Sequence, residues 1–409
     1  MKTKFFPHIS ILALLAGGIG LLAAMPGAAQ QKPTSGPVAR YDMRAGTVSG
    51  AAAGGRGGMG AAMMFGGGRG GSQVQRELYL RLGSSTAPAS GGAKADHFMP
   101  DGALLGKSLP LTTPREERVP EDMPQGQRPK GRMLIYWGCG EHAGAGQPVI
   151  IDFAKLAAGQ MPPGLWSTTI LRDWGPSLAN SRTFGRWPAE DNKFVKPSSS
   201  LIGPHRIAGN YSPEISFTLA KDFMAPLSTR LRSLPSCSRL LAWDAIADAT
   251  GYLAGLFGGN MNQRGEMGDM VMWSSSATRQ FGGGLGDWLS PATVAGLVRD
   301  GTVLAPAKTS CAIPAEVIRA AGQFRMGTLT AFGPQEDFAF PPRPANPKAA
   351  WNLQWTARVR QKSTTSWMDM PGMGGMGDMS GGDDPRGQQP GERPRRGGLG
   401  GMLGGGFGF

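Results

Sequence analysis

The chain has 409 residues, a formal net charge of +13, and Gly 65 and Pro 33 together making about a quarter of its length. Charged residues are only 17%, which excludes a coiled coil and a strongly charged disordered polymer, while the length leaves room for two or three domains of roughly 100–200 residues. A basic excess suits an anionic partner, but the cations are scattered rather than run together, so charge alone names no ligand.

Residues 1–29 read as a secretory signal. Lys2 and Lys4 open it, Ile9 to Met25 is an uncharged apolar run, and Pro26 followed by Gly27, Ala28 and Ala29 suits cleavage before Gln30. The run is shorter than the roughly 20 apolar residues a spanning helix needs, and no later stretch reaches that length. The expectation is an exported protein, periplasmic or extracellular, with no transmembrane helix after signal removal. Export removes nucleic acid as a partner and leaves an anionic envelope glycan or lipid surface.

Residues 30–71 include GGRGGMGAAMMFGGGRGG. Glycine-rich backbone loses much entropy on ordering and has few side chains to pack, so this Gly/Met-rich segment is expected to be disordered. The Arg-Gly-Gly tracts around Arg56 and Arg69 then act as spacer.

A β-rich domain is expected over 72–225. Leu78, Leu80 and Leu82 alternate with Glu77, Tyr79 and Arg81, the period of a half-buried strand. Met133 to Trp137 and Val149 to Phe153 are short runs of strand formers, and Ile215, Phe217 and Leu219 alternate again. A Pro-rich, charged stretch at 113–132 reads as a long loop within this domain.

The second domain spans 230–367. Ser290 caps a short helix with Pro291 at its first position, Val294, Leu297 and Val298 facing inward and Gly301 ending it; Pro314 to Ala321, closed by Gly322, is similar. In WNLQWTARV, Trp351, Leu353, Trp355, Ala357 and Val359 share a core face. The other face carries Asn352, Gln354, Thr356, Arg358, Arg360 and Lys362 and is expected to be wet. Arg358, Arg360 and Lys362 are the candidate anionic-ligand face. All ten tryptophans lie between Trp137 and Trp367, which marks the packed body. The fold class is mainly β: two β-sandwich-like domains, a few short helices and disordered Gly-rich ends.

Within LLAWDAIADATGYLAGLF (240–257), Trp243, Ala249, Gly251 and Tyr252 stand where a Trp-bearing strand, a short turn and a Tyr-bearing strand succeed one another. This resembles fibronectin type III and related immunoglobulin-like domains, over about 234–340 only. The resemblance implies a sandwich with both aromatics in the inter-sheet core. FRMGTLTAFGPQEDFAF (324–340) is expected to supply a terminal hairpin turning at Gly333–Asp337. Such sandwiches host many functions, so no activity follows.

Three cysteines remain after export, and an odd count leaves one over. Cys237 and Cys311 flank strand-like segments of one domain and are expected to pair, leaving Cys139 as a buried or reactive thiol. WGCGEHAGAG (137–146) places Cys139, Glu141 and His142 within four residues, all of them transition-metal ligand types. In the tail, 368–409, Met368, Met370, Met373, Met376 and Met379 recur every two or three residues. Their soft sulfurs suit Cu(I), and the segment resembles the methionine-rich tails of exported copper-handling proteins. Met261, Met267, Met270 and Met272 form a second cluster, read as a loop.

The mature histidines, His97, His142 and His205, are far apart, and the chain has no HExxH, GxSxG or glycine-rich phosphate loop. The expectation is a noncatalytic envelope or periplasmic binding or structural protein. Copper binding through the methionine-rich tail, with Cys139 and His142, is the alternative, and a secreted hydrolase with an unrecognised site is the second.

Overall fold

The computed structural model describes residues 36–54, 74–89, 91–114, 131–160, 171, 175–190, 193–261, 267–280 and 284–369. Residues 1–29, read above as a secretory signal, most of the stretch 113–132 and residues 370–409 lie outside them. The first half of the chain forms β1 (Ala39–Gly50), β2 (Val74–Ser84), β3 (Ala95–Phe98), β4 (Leu109–Pro110), β5 (Arg132–Trp137) and β6 (Val149–Asp152), then helix α1 (Phe153–Ala157). Next come β7 (Thr183–Trp187), β8 (Phe194–Val195), β9 (Gly203–Gly209), β10 (Ile215–Leu219), β11 (Thr229–Ser233) and β12 (Arg239–Trp243). The remainder is β13 (Gly251–Met261), β14 (Met267–Ser274), α2 (Pro291–Arg299), β15 (Ser310–Ile313), α3 (Ala315–Ala321), β16 (Phe324–Phe340) and β17 (Trp355–Asp369). The protein is mainly β, and no described helix is long and apolar enough to cross a membrane.

One 10-stranded sheet dominates, ordered β6-β5-β14-β13-β16-β17-β1-β2-β7, with β8 also on β2. It is mixed: β1 runs parallel to β17 and β14 parallel to β5. A 4-stranded sheet, β10-β9-β3-β4, and a 3-stranded sheet, β11-β12-β15, lie on the same face of it. Alternation explains this. Tyr41, Met43, Leu78, Leu80, Leu82, Ala357 and Val359 pack with Ile207, Ile215 and Phe217 into one core. Leu256, Val271, Trp273 and Leu329 pack with Leu241, Trp243 and Ile313 into another. Trp243 and Tyr252 meet there with ring centroids 5.4 Å apart.

Between the two cores the sheet face turns polar because it meets bare backbone. Residues 224–227 cross from one small sheet to the other, and their carbonyls accept from Thr47 (2.6 Å), Ser363 (2.8 Å) and Ser49 (2.6 Å). Leaving those carbonyls dry and unpaired would cost about 1–3 kcal/mol each.

Three expectations are corrected. The segment 30–71 is not loose throughout: Ala39–Gly50 is a central strand, buried on both sides, and its residues pair with β2 and β17. The sheet also ignores a boundary at 225–230, since β1, β2 and β5 join β13, β14, β16 and β17 in it. Gly333–Asp337 makes no hairpin. Phe324–Phe340 is one 17-residue strand paired with β17 on both sides of a bulge between Phe332 and Gln335. The helix signals are met in full: Ser290 Oγ accepts from the Thr293 N–H, and Val294 and Leu297 are buried.

Candidate functional site

The RYDMRAG stretch of β1 sends Arg40, Asp42 and Arg44 to the face opposite Tyr41, Met43 and Ala45. Register then sets Asp42 between Arg81 of β2 and Arg358 of β17, Arg44 between Tyr79 and Arg360, and Gly46 between Glu77 and Lys362. A charged stripe therefore crosses three adjacent strands.

Asp42 is its hub and is buried. Its carboxylate accepts from Arg44 Nε at 2.9 Å, from Arg358 Nε at 2.8 Å and from Arg360 Nη2 at 3.0 and 2.9 Å. Burial opposes its ionisation, but the guanidiniums of Arg360, Arg44 and Arg358 outweigh this and hold its pKa below the ordinary carboxylate value.

The segment before α2 closes over the stripe. Arg360 Nη1 donates to the Trp288 carbonyl, Lys362 Nζ donates to the Gly286 carbonyl at 3.2 Å and sits 4.5 Å from the Trp288 ring centroid, and Arg44 lies 3.6 Å from Asp287. Burial pushes the Lys362 pKa down, with Glu77 and Asp287 pulling the other way. The face of β17 expected to be wet is thus covered in part: Arg360 is buried and Lys362 half-buried beneath this segment, whereas Asn352 is exposed and Arg358 half-buried. A strand pattern alone cannot show that a tryptophan from an insertion 70 or so residues earlier covers it.

Beyond the Trp288 cover, toward the start of β1, the stripe opens into a cleft of about 390 Å³. Arg40, Arg358 and Asp337 supply charged groups to it, and Trp351 and Phe338 supply aromatic surface. Trp351 is fixed by its indole N–H donating to the Pro341 carbonyl at 2.9 Å, and Arg40 is oriented by the carbonyl and side-chain oxygens of Asn180, both at 2.8 Å. Of the predicted stripe, only Arg358 reaches this cleft. Arg40, Asp42 and Asp337 were missed; the alternation in RYDMRAG was the signal for the first two, masked by the glycine-rich sequence that follows it.

The Cys237–Cys311 pairing is overturned: the disulfide is Cys139–Cys311, with Cα atoms 5.2 Å apart. The loop after β5 runs beside β15, where the Gly140 N–H donates to the Ala312 carbonyl at 2.9 Å. Cys311 lies opposite Leu241, whereas Cys237 sits ahead of the first residue of β12, in the exposed turn leading into it. Cys139 therefore has no thiolate to offer a metal alongside His142. His142 is exposed and is bonded through Nδ1 to Glu316 at 3.1 Å, while Glu141 points its carbonyl at the Ala315 N–H. Cys139 and His142 go to different partners, and the Glu141 bond is made by its main-chain carbonyl rather than its carboxylate.

His97 and His205 are brought together from 108 residues apart, His97 Nε2 lying 3.0 Å from His205 Nδ1. The Leu201 carbonyl can only accept, so His205 Nε2 donates to it at 2.7 Å, His205 Nδ1 accepts from His97, and His97 Nδ1 accepts from Tyr41 Oη at 2.5 Å. Both imidazoles are neutral in this chain. Burial lowers both pKa values, that of His97 strongly, with His205 adding to it. The chain satisfies a buried polar core.

Met368 lies on β17, one residue from its end, and Met370, Met373, Met376 and Met379 fall outside the described residues. Met270 and Met272, read as loop, are on β14, and Met267 is paired in register with Met261 of β13. Comparison of the chain with protein-family models, with curated proteins and with solved structures finds no match.

Proposed function

We propose that the protein is an exported, noncatalytic binding protein whose ligand is an anionic glycan, received in the cleft at the open end of the charged stripe. The observation that carries this reading is the composition of that cleft: two guanidiniums, the Asp337 carboxylate and an indole converge on one cavity of about 390 Å³, with the Asp42 carboxylate beneath them already paired to arginines. Guanidinium pairs with a uronate carboxylate through short charge-assisted bonds. The Asp337 carboxylate accepts from sugar hydroxyls, and an indole face suits the apolar face of a pyranose ring. Asp42 anchors Arg358 from beneath, so that side chain reaches the cleft already oriented, and orientation before binding reduces the entropy lost on binding. The charge and the leader-like first residues of the sequence support the setting.

The test is equilibrium binding of the full protein to uronic-acid oligosaccharides and to neutral glucan oligomers. Uronate binding that weakens at least tenfold in Arg40→Ala and in Trp351→Ala is expected. Equal affinity for neutral and acidic oligomers, or no loss in either variant, would sink the reading.

A further inference from the structure

We propose that the same broad face of the long sheet, at its other end, is a Cu(I) site built from strand methionines. This proposal is independent of the glycan cleft, since it uses other strands and another ligand chemistry.

Register brings the methionines together from four regions of the sequence. Met133 of β5 is opposite Met270 of β14, and Met326 of β16 is opposite Met368 of β17. Met272 of β14 is opposite Phe257 of β13, which in turn is opposite Met326. Cross-strand partners share a face, so all five thioethers and the Phe257 ring stand on one side of the sheet. Neighbouring strands are about 4.8 Å apart, and residues two apart on a strand about 6.7 Å. Met133, Met270 and Met272 thus form a triangle whose flexible side chains can bring three sulfurs onto one ion. Met326 and Met368 form a second pair, with the Phe257 face between the two groups.

Two observations separate this from ordinary packing. Met270, Met272, Met326 and Met368 belong to none of the apolar cores formed by the described residues, and Met133 packs at the edge of the small core of Ile135 and Ile151. Met272 is 36% exposed. Moreover, the closed face of the same strands is built from Leu134, Val271, Trp273, Leu256 and Leu329, whereas the other face carries the five thioethers beside the small core of Ile135 and Ile151. Uncharged sulfur donors favour soft, monovalent Cu(I) over Zn(II), which seeks thiolate, imidazole and carboxylate.

The experiment is anaerobic Cu(I) titration of the full chain against a chromophoric Cu(I) chelator, with Zn(II) as the counter-probe. It uses two variants: Met133→Leu/Met270→Leu/Met272→Leu, and the tail quartet Met370, Met373, Met376 and Met379 all changed to Leu. Leucine conserves volume, and far-ultraviolet circular dichroism reports whether the sheet is retained. The face variant is expected to lose one equivalent, or at least tenfold in affinity, while the tail variant keeps that equivalent. No Cu(I) uptake by the parent, or unchanged uptake by the face variant, overturns the proposal. Should the triple variant not fold, Met272→Leu and Met368→Leu singly, together with copper X-ray absorption on the parent, decide the matter: sulfur neighbours and weakened binding support the site, nitrogen and oxygen neighbours overturn it.

Discussion

Asp42 shows how much one residue organises here. Three guanidiniums donate to its carboxylate inside the protein, and burying a charge is tolerable only when it is paired and fully hydrogen-bonded. Asp42→Asn keeps the shape but removes the negative charge that Arg44, Arg358 and Arg360 share, while Arg44 keeps Asp287 at 3.6 Å. Removing one partner of a buried pair typically costs about 3–5 kcal/mol, and a loss of that size is expected in urea unfolding of Asp42→Asn. By contrast, Lys221→Ala breaks an exposed pair with Asp248, 2.7 Å apart, and such pairs contribute about 0–1 kcal/mol. The importance of Asp42 was not legible in the sequence. Its alternation with Arg40 and Arg44 was, but the residues that give it meaning stand more than 300 positions later.

At the scale of elements, the Tyr41–His97–His205 chain ties β1 of the long sheet to β3 and β9 of the 4-stranded sheet. Adding a proton to either imidazole reverses bonds in it, takes from the Tyr41 hydroxyl its acceptor, and places a charge in an apolar core. Burial accordingly depresses both histidine pKa values in the folded state. Below the unfolded value of about 6.5 the unfolded chain binds protons that the fold refuses, so stability is full above that pH and falls as pH drops below it. The urea midpoint is expected to hold between about pH 7 and 8, and to decline from about pH 6.5 toward 5. His97→Asn should flatten that decline. A midpoint constant across the whole interval would contradict the neutral assignment. The Asp42 contribution has the same sign but a different window: its pKa is depressed, so its stabilisation is lost only at lower pH, as the carboxylate protonates.

Across the whole molecule, the Cys139–Cys311 disulfide joins the loop after β5 to the 3-stranded sheet over a sequence separation of 172. Closing so long a loop restricts the unfolded chain, and Cys139→Ser is expected to lose about 2–5 kcal/mol. Thiol labelling of the native, unreduced protein should modify Cys237 alone, which is exposed; labelling of three thiols would contradict the bond. What the amino-acid sequence settled by itself is local. The alternation of Leu78, Leu80 and Leu82, the cap at Ser290 and the strand formers at 133–137 each depend on neighbours within a turn or two, and each stands where it was expected. Tertiary structure alone decided which faces are covered. Trp288 covers Arg360 and Lys362, β1 lies at the centre rather than in a loose glycine-rich segment, β16 bulges between Phe332 and Gln335 instead of turning, and Cys311 meets Cys139. The reason is that a strand pattern specifies two faces and their period, whereas burial, ion pairing and cross-linking depend on what the rest of the chain lays against each face.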